Sequence, residues 1–77
     1  MNTTLERVNE IVLYVVPDAN TGIGPADRLA EDLGIDSLSL VEILIQVEKR
    51  FLITVDDSDI SRVESVQDIL DLVHRQQ

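Results

Sequence analysis

There is no cysteine and no tryptophan in this chain of 77 residues, and only one histidine, one tyrosine and one phenylalanine. Without cysteine no disulfide can staple the fold and no thiol can act as a nucleophile. A lone histidine, His74, cannot build a zinc site by itself. No apolar run approaches the ~20 residues that span a bilayer. The opening residues, Met1 to Arg7, lack the basic and apolar regions of a signal peptide, so a soluble cytoplasmic protein is expected. A chain this short buries only roughly 60% of the surface that its unfolded form exposes. One domain over residues 1–77, held by helix packing and without a deep catalytic cleft, is therefore the expectation.

Basic residues are also scarce. Fifteen acidic side chains against six basic ones give a net charge of −9. Such a surface repels nucleic acid and anionic membrane faces, so neither is expected as a partner. It attracts proteins with basic patches and speeds their encounter. A plain solubility role accounts for the same charge, so composition alone does not choose between the two.

Hydrophobic spacing marks three helices. Leu5, Val8, Ile11, Val12 and Val15 recur at helical intervals and predict an amphipathic helix over residues 4–16. Thr3 and Glu6 have the spacing of a capping box at its start, and Pro17 stops it. A second helix is expected from Ser37 to Arg50, where Leu38, Leu40, Val41, Ile43, Leu44, Ile45 and Val47 cannot all face one core. One apolar strip of this helix should be left for partners. Val66, Ile69, Leu70 and Val73 predict the last helix, with Ser65 and Asp68 as its capping start. Between these, residues 57–61 fit one short helical turn, although Thr54 and Val55 favour strand. The connection from Pro17 to Asp36 is long, and Leu29, Leu33 and Ile35 should pack its second half against the helices. The fold class is thus all-α: a small bundle of three main helices plus a short fourth, with a long first loop.

Catalytic readings fail one by one. A nucleophilic serine needs a base, and His74 near the exposed end of the last helix reads as a cation at a helix C-terminus. The segment from Gly34 to Leu38 is not a G-x-S-x-G elbow. Gly22-Ile-Gly24 follows no strand and has no lysine-serine pair behind it, so it reads as a turn. Asp56, Asp57 and Asp59 can attract a divalent cation weakly, but they lack the D-x-D-x-D-G order of a calcium loop and read as a solvated turn or helix start.

The informative stretch is residues 31–44, Glu-Asp-Leu-Gly-Ile-Asp-Ser-Leu-Ser-Leu-Val-Glu-Ile-Leu. Gly34 allows a turn, and Asp36 stands where a carboxylate caps free N–H groups. Ser37 then falls in the first helical turn, at a chain corner open to a visiting enzyme. The positive end of the helix suits a phosphate ester there. Taken alone, the Asp-Ser pair is ordinary capping chemistry.

The longer run Asp-Leu-Gly-Ile-Asp-Ser-Leu followed by Val41-Glu42 resembles the prosthetic-group site of acyl carrier proteins. The resemblance extends over nearly the whole chain: a first helix opening Leu-Glu-Arg-Val, a long loop, Phe51 closing the second helix, an acidic turn, and a last helix from Ser65-Val-Gln. It implies that Ser37 carries a covalent 4'-phosphopantetheine arm, added by a phosphopantetheinyl transferase from coenzyme A with magnesium. Asp36 would assist transferase recognition and magnesium binding. Leu38, Val41 and Ile45 match apolar contacts to partner enzymes, and Glu42 and Glu48 match acids that pair with basic residues there. The chain would be no enzyme. It would be a monomer presenting acyl thioesters to acyl-transferring, condensing and modifying enzymes of fatty acid, specialised lipid or polyketide synthesis.

Within this resemblance, an aminoacyl or peptidyl carrier and an unmodified interaction domain of the same fold are the alternatives. Peptidyl carriers usually place a second glycine where Ile35 stands, which favours the acyl branch. One departure concerns charge. Residues 37–51 hold two acids and two bases, while residues 18–36 hold five acids and one base and residues 52–77 hold six and two. A neutral second helix, with Leu40 adding apolar surface at a position often polar in the family, points to specialised partners. An apolar interior lined by Val8, Val12, Leu44, Val47 and Ile69 would open for the acyl chain.

Overall fold

A computed structural model describes residues 3–18 and 23–76. Four helices follow one another: α1 Thr4–Val15, α2 Ser37–Phe51, α3 Asp57–Arg62 and α4 Val66–Arg75. No strand occurs among the described residues, and the architecture is all-α as expected.

Local chemistry explains each boundary. The Thr3 hydroxyl accepts from the Glu6 amide at 3.1 Å, and the Glu6 carboxylate accepts from the Thr3 amide at 3.4 Å. This reciprocal pair satisfies N–H groups that the first turn leaves open. The helix ends at Val15, ahead of Pro17, because the residue before a proline is pushed out of the helical region. Ser65 and Asp68 repeat the box at α4. The acids at 56, 57 and 59 form the start of α3, where the Asp56 amide donates to Asp59 Oδ2 at 3.1 Å. Residues 53–56 join no helix or strand. The Gln76 side chain brackets Thr54: its Oε1 accepts from the Thr54 amide at 3.0 Å and its Nε2 donates to the Thr54 carbonyl at 2.6 Å.

α1 packs against both α2 and α4. Its first turn meets the last turn of α2, where Arg7 Nη2 donates to the Arg50 carbonyl at 3.2 Å, so the two helices run antiparallel. Val8, Ile11, Val12, Ile43, Leu44, Val47, Val66, Ile69 and Val73 are fully enclosed, and no polar or charged residue is buried among the described residues. The five residues proposed to line the interior are thus all in this core, and it is closed. Admitting a chain would require the helices to part.

The long connection is strapped down. Leu29 N–H donates to the Glu64 carbonyl at 2.9 Å, Val66 N–H to Asp27 O at 3.0 Å and Gln67 N–H to Pro25 O at 2.9 Å. Arg28 and Ser65 form a single antiparallel bridge. Ile23, Leu29 and Ile35 drop into the core, and Leu33 packs at its edge. Gly24 opens a turn whose amide donates to Asp27 Oδ2 at 2.8 Å, while Gly22 lies outside the described residues.

The end of α2 is unusual. Leu52 adopts the left-handed conformation (φ 56°) that lets both its own amide and that of Ile53 return to the Glu48 carbonyl. Glycine is the ordinary occupant of such a position, since a Cβ there costs roughly 1–2 kcal/mol. Leu52 offsets none of that by burial, being 90% exposed. Replacing it by glycine relieves the crowding but adds freedom to the unfolded chain, which returns part of the gain. Leu52→Gly should therefore raise stability by about 0.5 kcal/mol, a rise of roughly 2–4 °C in Tm for a domain of this size. A lower melting temperature by circular dichroism would show that the leucine supports the fold.

Candidate functional site

The strap determines where α2 begins. After Leu29 is tied to Glu64, the Ile35 amide returns to the Leu29 carbonyl at 2.9 Å and Ile35 itself is buried. Between them Gly34 has φ 68°, with open space where a Cβ would stand, so only its backbone demands glycine. The chain then emerges from the core and turns into the helix at Asp36-Ser37.

Asp36 is the N-cap. Its Oδ1 accepts from the Ser39 amide at 2.8 Å, and its carbonyl accepts from Leu40 N–H at 2.9 Å. Ser37 is the first helical residue, exposed, and its hydroxyl takes no hydrogen bond among the described residues. Leu38 beside it is 82% exposed, and Val41 and Ile45 are each 38% exposed. Their i, i+3, i+7 spacing puts the three on one side of α2, with Glu42 also exposed. The opposite side, Ile43, Leu44, Val47 and Phe51, is in the core. The helix thus divides its apolar residues between core and solvent as the sequence required.

Two residues behave differently from the sequence reading. Leu40, expected to add apolar surface, is half-buried against the core. Glu48, expected to face partners, is also half-buried, and its Oε2 accepts from the Val55 amide at 2.8 Å. The carboxylate serves the Val55 amide, which has no backbone acceptor among the described residues. Leu52 was not singled out by the sequence reading. The available signal was the missing glycine after Phe51, where a helix must end.

Three carboxyls lie below their ordinary range. Asp36 is lowered chiefly by the Ser39 amide, with help from the Ser39 side chain. Asp32 is lowered by the Arg28 amide and then its guanidinium. Asp59 is lowered by the Asp56 amide and by Arg75, whose Nη2 lies 3.0 Å from Oδ1. A folded-state pKa below the unfolded value of about 3.8 means that stability is fully present above that value and drains away as pH falls through the folded value. Melting temperature should therefore fall as pH drops below about 4, and fall less in an Asp36→Asn/Asp59→Asn variant, which has no such protons to take up at those two positions. Equal losses in both proteins would remove these carboxylates as the cause.

The chemistry of the site is that of an acceptor. His74 lies in the last turn of α4, whose Gln76 is tied to Thr54 just beyond the end of α2. Ser37 begins that helix, a helix length of roughly 21 Å away, so no base is paired with the hydroxyl. Among the described residues no group of three metal-ligating side chains comes together, and no helix is long and apolar enough to cross a membrane. An arm joined through phosphate fits this corner: the hydroxyl is exposed and unengaged, the helix N-terminus favours the phosphate charge, and the carboxylate of Asp36 is held aside by Ser39.

A helical bundle presenting a free serine at such a corner defines a carrier domain. Comparison agrees: residues 6–73 match the family model described as the phosphopantetheine attachment site. The chain is 35% identical over 74 residues to an acyl carrier protein of Rickettsia bellii, covering 90% of this chain and 85% of that protein. It superposes on a solved structure described as an acyl carrier protein from Mycobacterium tuberculosis with a TM-score of 0.88, at 26% identity, over 95% of this chain and 97% of that one.

The chain belongs to the phosphopantetheine-binding family of acyl carrier proteins. Such proteins hold a covalent 4'-phosphopantetheine and are carriers, not catalysts. They meet a phosphopantetheinyl transferase and acyl-handling enzymes.

Proposed function

We propose that Ser37 is the attachment point of the arm and that the chain serves a specialised acyl pathway, lipid or polyketide, rather than bulk fatty acid synthesis. The observation that carries the first half is the exposed Ser37 hydroxyl at a helix start capped by Asp36. When attached, the arm supplies a thiol on which acyl cargo is held as a thioester. The chain's own residues position and present it. Asp36 fixes the first turn, and its carboxylate would help hold a magnesium brought by the transferase. Leu38, Val41 and Ile45 give partner enzymes an apolar strip, and Glu42 gives them a charge.

What supports a specialised pathway is the charge on α2. Glu48 is engaged by Val55, so Glu42 is the acid left exposed on the helix, against exposed Lys49 and Arg50. Enzymes with strongly basic docking faces meet little attraction there.

Incubating the unmodified chain with a promiscuous phosphopantetheinyl transferase, coenzyme A and magnesium should add one arm by intact mass. No gain would leave an interaction domain of carrier fold as the reading. Loading with an amino acid by its host's enzymes would favour the aminoacyl branch. Pathway choice has its own test. Lys49→Glu with Arg50→Glu should raise turnover by ordinary fatty acid enzymes about tenfold, mainly through faster encounter at low salt. Unchanged rates would show that helix charge is not the discriminator.

A further inference from the structure

The end of α2 opposite Ser37 combines three features that the carrier role does not use. Three of the six lysines and arginines meet there: Lys49 and Arg50 in the last turn of α2, and Arg7 from α1. Arg7 is fixed in place, its guanidinium 4.3 Å from the Phe51 ring centroid and bonded to the Arg50 carbonyl. No ion pair neutralises any of the three among the described residues. The carboxylates adjoining Arg7 and Lys49 in sequence are engaged elsewhere, Glu6 by Thr3 and Glu48 by the Val55 amide. Of the other three cations, Arg28 is paired with Glu31 and Asp32 and Arg75 with Asp59, while Arg62 has no ion pair among the described residues. Directly beyond Arg50 and Phe51 stands Leu52, 90% exposed on a left-handed backbone.

Cations in the last turn of a helix favour its dipole and by themselves need no partner. That argument does not extend to Leu52, whose side chain neither packs nor suits its backbone. An exposed apolar side chain framed by unpaired cations is instead the anchor-and-rim pattern of a docking surface.

We propose that this pole, Leu52 with Lys49, Arg50 and Arg7, is a second docking surface that seats an acid-rimmed apolar socket on a partner protein. Charge decides the occupant. The pole is a basic island on a chain of net charge −9, so an anionic membrane would be repelled by the rest of the molecule. A second copy would bring its own −9 and would meet this pole with a different face, a contact that does not close into a dimer. A partner with a local acidic patch suffers neither penalty. The surface lies at the far end of α2, roughly 21 Å from the arm's attachment point, so one partner can hold the carrier there while another works at Ser37. This rests on the carrier reading for the partner's role, but the binding itself needs no arm.

The test titrates the isotope-labelled chain, without its arm, with a synthetic helical peptide presenting one leucine stripe flanked by glutamates. Amide resonances of Arg7 and residues 49–53 should shift. Leu52→Gly, a change that leaves the charges intact and does not weaken the fold, should weaken binding about tenfold. Lys49→Glu with Arg50→Glu should weaken it at least about tenfold, as should raising salt from about 0.05 to 0.5 M. No shift at millimolar peptide, shifts confined to residues 37–45, or an affinity unchanged in Leu52→Gly would overturn the proposal. Leu52-dependent binding to phosphatidylglycerol vesicles in place of the peptide would overturn it in favour of a membrane. Leu52-dependent self-association by sedimentation would do so in favour of a second copy. Attachment at Ser37 is read separately by mass, so either idea can fail without the other.

Discussion

Ser37→Ala is expected to abolish the mass gain completely while leaving the fold intact. The variant should melt within about 0.5 kcal/mol of the parent, because the position is exposed and alanine is a good helix former. Three other serine hydroxyls are poor substitutes, and Ser58, though exposed in the first turn of α3, lies outside the Asp-Ser-Leu run. Ser39 follows within the same turn but is half-buried, and its amide is bound to Asp36. Ser61 donates to the Ser58 carbonyl at 2.9 Å, and the Ser65 hydroxyl accepts from the Asp68 amide at 3.3 Å. Ser39→Ala should accordingly keep the full gain. Retention of the added mass by Ser37→Ala would move the attachment point elsewhere.

The largest effect on stability is expected from the core. Ile69 on α4 is fully enclosed, at 0% exposure, within the cluster shared with α1 and α2. Truncation to alanine removes buried methyl groups and leaves a cavity, at a typical cost of about 3 kcal/mol. A domain this short has total stability on the order of 4–12 kcal/mol, so Ile69→Ala should lower Tm by roughly 12–24 °C. Ile45→Ala makes the same chemical change on the outward side of α2, where the side chain is 38% exposed. It should cost under about 1 kcal/mol. Thermal denaturation of the pair checks this, and similar losses would mean that the division of α2 into inner and outer faces is wrong.

What could be read from the residues alone was whatever they encode locally. Thr3 with Glu6, Ser65 with Asp68, and Pro17 are short-range signals, and they appear as the two capping boxes and the end of α1. The helical spacing of Leu38, Val41 and Ile45 against Ile43, Leu44 and Val47 likewise separated the outer strip from the core. Asp36 as a cap followed from its place before an apolar helical run. What stayed hidden depends on partners distant in the chain. Nothing periodic announces that Leu29 will donate to Glu64, or that Gln76 will bracket Thr54. Glu48 looked free because its partner, the Val55 amide, is a backbone group exposed only once the segment after α2 turns away from the helix. Leu40 was misjudged for a related reason: period alone leaves it between the two faces, and packing moved it inward.

Asp36 gives its two oxygens separate duties. Oδ1 receives the Ser39 amide and holds the first turn of α2, while Oδ2 takes no hydrogen bond among the described residues. An enzyme approaching Ser37 can therefore draw on the negative charge of this residue through one oxygen without unravelling the helix secured by the other. Anchorage and charge are separable at a single side chain: asparagine would preserve the first and erase the second.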